Sequence, residues 1–309
     1  MGSWADTPPV LLLIFNRPDH TAQVMEQIRQ AEPTELYIGA DGPHADHPDD
    51  ARRCERAREV ATRVEWDCEV RTLFRNKNLG CKEAVSSAIT WFFEHVDEGI
   101  ILEDDCVPDP SFFPYCEYLL EKYRGDTRVS MVSGQNPLGT WKEDECSYHF
   151  SNFGGIWGWG TWSSMWQMYE VEEEATSPSH VRKVLETSLG ERLQVAVRSQ
   201  GVQRALTGDL DSWGYQWFYA RILNHTLAAV PARNLVTNVG FGKEATHTTN
   251  GERELQEARS LDFPLTPPVG VFPDREYDRK WFNKTWSSDS GKLLNYCRRQ
   301  KIIFEDFFR

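Results

Sequence analysis

The sequence predicts an α/β fold built on a mostly parallel sheet with helices on both faces, and three observations carry that expectation. Short apolar runs alternate with helix-length amphipathic stretches, each apolar run stops at a polar turn, and no run approaches the roughly 18 apolar residues of a membrane-spanning helix. Such alternation implies right-handed crossovers between parallel strands. The polar turns that follow the strands then collect along one edge of the sheet, where open α/β folds bind their ligands.

Val10 to Phe15 reads Val-Leu-Leu-Leu-Ile-Phe, a strand suited to burial on both faces, and it ends at Asn16-Arg17-Pro18-Asp19. A helix should follow, with Asp19 as its cap and Val24 and Ile28 on one face. A second strand, Leu36 to Ala40, stops at Asp41-Gly42-Pro43, and a charged helix covers roughly 48–63. A third strand near 70–74 leads into Asn76-Lys77-Asn78-Leu79-Gly80, and a helix runs over 82–95. The fourth strand, Gly99 to Leu102, passes directly into Glu103-Asp104-Asp105. Asp109-Pro110 then opens a helix to about Tyr123, with Asp as N-cap and Pro at the first helical position, before a fifth strand from Val129 to Ser133. Beyond residue 140 the texture changes, but no Gly/Ser/Pro-rich linker and no repeat intervenes, so one compact domain is expected.

Composition narrows the function. With 309 residues, 40% apolar and 12% aromatic, the chain has ample material for a core. Its 47 acidic and 34 basic residues leave a net charge of −13, the wrong sign for a general nucleic-acid binder. An anionic small ligand would need a local remedy: a metal ion, a few arginines or helix N-termini. The seven cysteines are odd in number and form no Cys-x-x-Cys pair, which argues against a disulfide framework and a thiolate zinc site. A cytoplasmic protein is expected, with peripheral membrane association as the alternative.

Glu103-Asp104-Asp105 sets three carboxylates after a buried strand. Charges so close repel unless a cation intervenes, and a divalent ion with oxygen ligands, Mn²⁺ or Mg²⁺, is the simplest one. The competing reading is a solvated acidic turn. Arg17 and Asp41 stand at two other strand exits, where a guanidinium can meet a phosphate and a carboxylate can accept from a nucleobase or ribose. Trp141, Trp157, Trp159, Trp162 and Trp166 are interleaved with Gly154-Gly155, Gly158 and Gly160. Glycine-rich surroundings suggest a movable loop that exposes indole faces for sugar stacking, against the alternative of a tryptophan-rich core. Asp209 and Asp211 precede a helix that places Trp213 and Trp217 on one face, and either acid could be a cap. Asn234 to Gly242 reads as an extended segment into a glycine turn, followed by Lys243 to Thr248 with His247 in a polar loop.

Together, Ile14-Phe15-Asn16-Arg17, Gly39-Ala40-Asp41-Gly42, Asn78-Leu79-Gly80, Leu102-Glu103-Asp104-Asp105-Cys106 with Asp109-Pro110-Ser111-Phe112-Phe113, and Phe241 to His247 resemble a GT-A glycosyltransferase. The resemblance, over about 9–250, is to N-acetylglucosaminyltransferase I-like enzymes and bacterial haemolysin-type glycosyltransferases. It implies a Rossmann-like nucleotide-diphospho-sugar transferase fold, with 1–135 as the nucleotide-sugar-binding half, 136–250 as the acceptor-binding half and 251–309 as an unassigned tail. By the same resemblance Arg17, Asp41, Asn78, Glu103 and Asp104 would contact the donor, a UDP-sugar above others, and Asp105 would hold the metal. Lys243 and His247 would close on the diphosphate, while Trp157, Trp159 and Trp213 would face a carbohydrate or small-molecule acceptor. The family's base lies between tryptophans, where this chain has no acid; Asp211 is the nearest candidate, with Glu244 and Asp209 as alternatives. Transfer with inversion is expected. A sugar-nucleotide pyrophosphorylase, which would need a glycine-rich loop after the first strand, and a non-catalytic carbohydrate-binding protein are the competing readings.

Overall fold

The alternation read from the sequence is present in the computed structural model, which describes residues 7–240 and 256–287. Strands β1 (Val10–Ile14), β2 (Glu35–Ala40), β3 (Glu69–Phe74) and β4 (Glu98–Glu103) run parallel, joined by helices α1 (Pro18–Ala31), α2 (Asp50–Ala61) and α3 (Cys81–Phe93). Leu12 of β1 sits in register with Ile38 of β2 and Leu102 of β4. All five β1 residues are therefore buried on both faces, and only apolar side chains are tolerated there. β3 lies at the sheet edge and is partly exposed, which accounts for Glu69, Arg71 and Thr72 within it.

The rest of the chain continues with β5 (Cys106–Pro108), α4 (Phe112–Tyr123), β6 (Val129–Ser133), β7 (Tyr148–Ser151), β8 (Trp159–Trp162) and the single turn α5 (Ser163–Trp166). Helices α6 (Pro178–Leu189), α7 (Arg192–Leu206) and α8 (Trp213–Leu223) follow, then β9 (Leu227–Pro231), β10 (Val236–Asn238) and α9 (Arg275–Ser287). The main sheet has the order β3-β2-β1-β4-β8-β6-β9-β7, with β8 antiparallel to both neighbours, while β5 and β10 pair as a separate ribbon. The expected mostly parallel α/β sheet with helices on both faces is what forms.

Two helix starts differ from expectation. Arg17, not Asp19, is the residue that precedes α1; Pro18 takes the first helical position and Asp19 lies in the first turn, beside the positive end of the helix dipole. α4 begins at Phe112, because the Asp109 carboxylate accepts from the Ser111 amide (2.9 Å) and hydroxyl (2.6 Å) and so closes the turn ahead of the helix.

The larger difference lies in the Gly/Trp segment, of which residues 159–162 are sheet interior instead of part of a movable loop. β8 is inserted between β4 and β6, and its side chains alternate between the two cores: Trp159 packs with α3 and α8, Trp162 with α4. The glycines permit close packing. Gly158 has φ +64°, and a Cβ there would lie 2.7 Å from Val236. Part of the tail belongs to the same body: Tyr277 of α9 is fully buried, and Asp278 accepts hydrogen bonds from Ser151 and Asn152 at the end of β7. Among the described residues no helix is long and apolar enough to cross a membrane.

Candidate functional site

The exits of β1 and β4 meet through charge. Arg17 places Nη1 2.8 Å from Asp105 Oδ2 and 3.5 Å from Asp104 Oδ1. Asp104 is buried and turned inward, its Oδ2 accepting from the Phe15 amide at 3.1 Å, so it ties the β4 exit to the end of β1. Burial and the neighbouring Asp105 charge push the Asp104 carboxyl up to about 7, against the pull of Arg17. Burial, with Asp105 and Asp104 beside it, pushes Glu103 up to about 8. Among the described residues, the cation that meets Asp104 and Asp105 is the Arg17 guanidinium.

Asp105 is also touched from β10. Asn238 Nδ2 lies 3.3 Å and Cys106 Sγ 3.4 Å from its Oδ1, and a Cβ on Gly240 would come within 2.1 Å of its Oδ2, so the chain leaving β10 passes directly over this carboxylate. Lys243, Glu244 and His247, the expected continuation of that passage, lie outside the described residues.

At the β2 and β3 exits, Asp41 and Asn78 knit two loops together. The Asp41 carboxylate accepts from the Gly42 amide at 2.8 Å and from the Leu79 amide at 3.1 Å on each oxygen. Burial raises its pKa. Asn78 donates to the Gly42 carbonyl (3.0 Å) and accepts from the Gly80 amide (3.2 Å). Asp211 reaches the next amides along: its Oδ2 accepts from Cys81 (2.8 Å) and its Oδ1 from Lys82 (2.7 Å). The residue read as the leading base is therefore the cap of α3, supplied from a segment 130 residues away. Cys81, the first residue of α3, marks where these acids converge: burial and then the charges of Glu103, Asp211, Asp41 and Asp105 push its thiol up to about 12.

A second polar group at this rim was not foreseen. Asn16 Nδ2 donates to Asp50 Oδ1 at 2.7 Å, His44 Nδ1 lies 2.6 Å from Asp50 Oδ2, and the His44 ring meets Phe15 edge-on at 5.1 Å. Against the effect of burial, the His44 and Asn16 contacts hold the Asp50 carboxyl below its ordinary range. Asn16, at the same exit as Arg17, was the available signal.

The tryptophans require a correction. Trp159 and Trp213 are 0% and 2% exposed and stack on each other at 5.7 Å, so neither offers a face to a sugar. Trp157 is only partly buried, against the α4 side of the core.

Among the described residues no group of three or more His, Cys, Asp or Glu side chains forms a ligand set for a metal ion. Asp104 is committed inward, which leaves Asp105 as the rim carboxylate able to offer an oxygen. Hard oxygen donors of this kind suit Mg²⁺ or Mn²⁺ when the ion is held by one carboxylate together with a ligand's phosphates, and do not suit an all-protein cage.

No family model and no curated protein matches the chain. Solved structures with similar arrangements include a cytidylyltransferase from Leptospira borgpetersenii serovar Hardjo-bovis (13% identity, TM-score 0.31, 53% of this chain and 63% of that one). A UDP-glucose pyrophosphorylase complexed with UDP-glucose is similar at 10% identity and TM-score 0.31, over 52% of this chain and 78% of that one. Mouse xyloside xylosyltransferase 1 in its apo form is similar at 11% identity and TM-score 0.32, over 58% of this chain and 75% of that one. The chain spans less than two thirds of the cytidylyltransferase's length. Likenesses this shallow say nothing about the reaction, which rests on the chain's own residues.

Proposed function

We propose that the chain is a metal-dependent glycosyltransferase of GT-A type that moves a sugar from a nucleotide-diphosphate donor, a UDP-sugar above others, to a carbohydrate or small-molecule hydroxyl, with inversion. The observation that carries this reading is the meeting of Arg17 with Asp104 and Asp105 at the C-terminal ends of β1 and β4, with Asp41 and Asn78 at the next two exits. Here one arginine and one outward carboxylate stand side by side. Asp105 would hold Mn²⁺ or Mg²⁺ jointly with the diphosphate, and the ion would supply Lewis-acid stabilisation of the leaving group. Arg17, released from Asp105, would be placed to meet the same phosphates, and Asp41 and Asn78 would meet the nucleoside. A rim carboxylate would take the proton of the attacking hydroxyl.

Incubation with UDP-, GDP- and ADP-sugars and Mn²⁺, with and without EDTA, tests the reading. Donor turnover that EDTA abolishes is expected; turnover indifferent to EDTA removes the metal role. Failure to bind or turn over any donor removes the whole reading, and pyrophosphate-dependent formation of a nucleoside triphosphate replaces it with the pyrophosphorylase alternative.

A further inference from the structure

Among the described residues, Asp211 is the acid that reaches this rim from the second half of the chain. α3 has no capping side chain of its own: Gly80 precedes it at φ +83°, leaving the first amides of the helix without a local partner. Both Asp211 oxygens fill that need, at 2.8 and 2.7 Å, and Gly80 is required for the approach, since a Cβ there would lie 2.9 Å from Asp211 Oδ2. The same junction is tied a second time, because Lys82 Nζ donates to the Ala205 carbonyl near the end of α7 at 2.7 Å. Asp211 directly precedes Ser212, the cap position of α8, so the start of α3 is pinned to the start of α8.

The pin bears on the donor side through consecutive backbone groups. Leu79, two residues before Cys81, donates to both oxygens of Asp41, and Asn78 holds the Gly42 carbonyl. Four successive amides, those of residues 79–82, are thereby accepted in turn by Asp41, Asn78 and Asp211. A displacement of the α3 start would move Asp41 and Asn78 with it.

We infer that Asp211 is a positioning residue for donor binding, a latch that fixes the turn carrying Asn78 and anchoring Asp41, and not the base that deprotonates the acceptor. The inference rests on the nucleotide-sugar reading above. A carboxylate whose two oxygens each already accept an amide is built to hold a helix start; asparagine, with a single acceptor oxygen, keeps one of those two bonds and cannot act as a base.

The test uses UDP with Mn²⁺ as the probe and the intact chain as Asp211→Asn, Asp211→Ala and Gly80→Ala. Calorimetry gives the UDP affinity, and amide hydrogen exchange over residues 78–85 reports the latch without any ligand. Expected are faster exchange at 79–82 and UDP binding weakened about five- to tenfold in Asp211→Ala and Gly80→Ala, with Asp211→Asn, which keeps one of the two acceptors, falling between Asp211→Ala and wild type on both measures. UDP affinity unchanged in all three variants, whatever their melting temperatures, overturns the latch and leaves the nucleotide reading standing. Absence of UDP binding by the wild-type protein, with exchange still altered in the variants, overturns that reading and the donor-directed role with it.

Discussion

Asp104→Asn should make the protein more stable at neutral and alkaline pH and leave it unchanged in acid. Asp104 is 6% exposed, and its carboxyl is raised from 3.8 to about 7, chiefly by burial. The folded protein therefore keeps a proton that the unfolded chain has already released, so the stability this residue contributes falls as pH rises from about 4 to 7 and is flat above. At about 1.4 kcal/mol per pH unit the difference sets an upper bound of roughly 4 kcal/mol on the cost of ionising Asp104 in place. Arg17 at 3.5 Å and the water of the adjacent rim offset part of it, which leaves about 1–3 kcal/mol. Asparagine keeps an oxygen for the Phe15 amide and carries no charge. For a chain of this size the gain corresponds to roughly 2–6 °C in melting temperature at pH 8, against none at pH 4. Differential scanning calorimetry of both proteins in EDTA across pH 4–8 measures it. A difference that stays constant with pH, or a variant less stable at pH 8, would refute the claim that burial dominates at Asp104.

Arg17→Met should lower the melting temperature in EDTA at pH 8 by the equivalent of about 1–3 kcal/mol, because Asp105 loses the guanidinium at 2.8 Å. The loss should shrink at pH 5, where Glu103 and Asp104 are protonated; thermal melts at the two pH values check this. Trp159→Ala should cost about 3–5 kcal/mol in urea unfolding, the penalty of an emptied core site, whereas Trp157→Ala, at a partly buried position, should cost less than half as much. Gly158→Ala should cost roughly 1–3 kcal/mol by the same assay, through its positive φ and the approach to Val236.

The first half of the chain was legible because its signals are local. β1, β2 and β4 are buried on both faces and read as unbroken apolar runs, and α1 and α4 show apolar residues at helical spacing. The rim followed from topology, since parallel strands deliver their exits to one edge. β8 was illegible because the glycines of the segment leading into it, normally breakers, are demanded by contacts from elsewhere: Val236 at Gly158, and Met131 and Arg221 at Gly154. Its tryptophans then looked like exposed faces when Trp159 fills the space against α8 and Trp162 the space against α4. The role of Asp211 was hidden for a related reason. Its partners are amides 129 and 130 residues away, and no local pattern announces a cap lent across the chain. Asp104 and Asp105 are adjacent in sequence yet opposite in orientation, one toward Phe15 and the other toward Arg17 and Asn238, a distinction that only the packed β1 and β5–β10 neighbours create.

The central claim is that Asp105 and Arg17 bind a nucleotide diphosphate through a shared divalent ion. Isothermal titration of UDP into the wild-type protein with Mn²⁺, into the same protein with EDTA, and into Asp105→Ala with Mn²⁺ tests it directly. The account predicts binding in the first titration and affinity reduced about tenfold or more in the other two, with the fold of Asp105→Ala retained. Equal affinity in all three, or no binding in any, would contradict it.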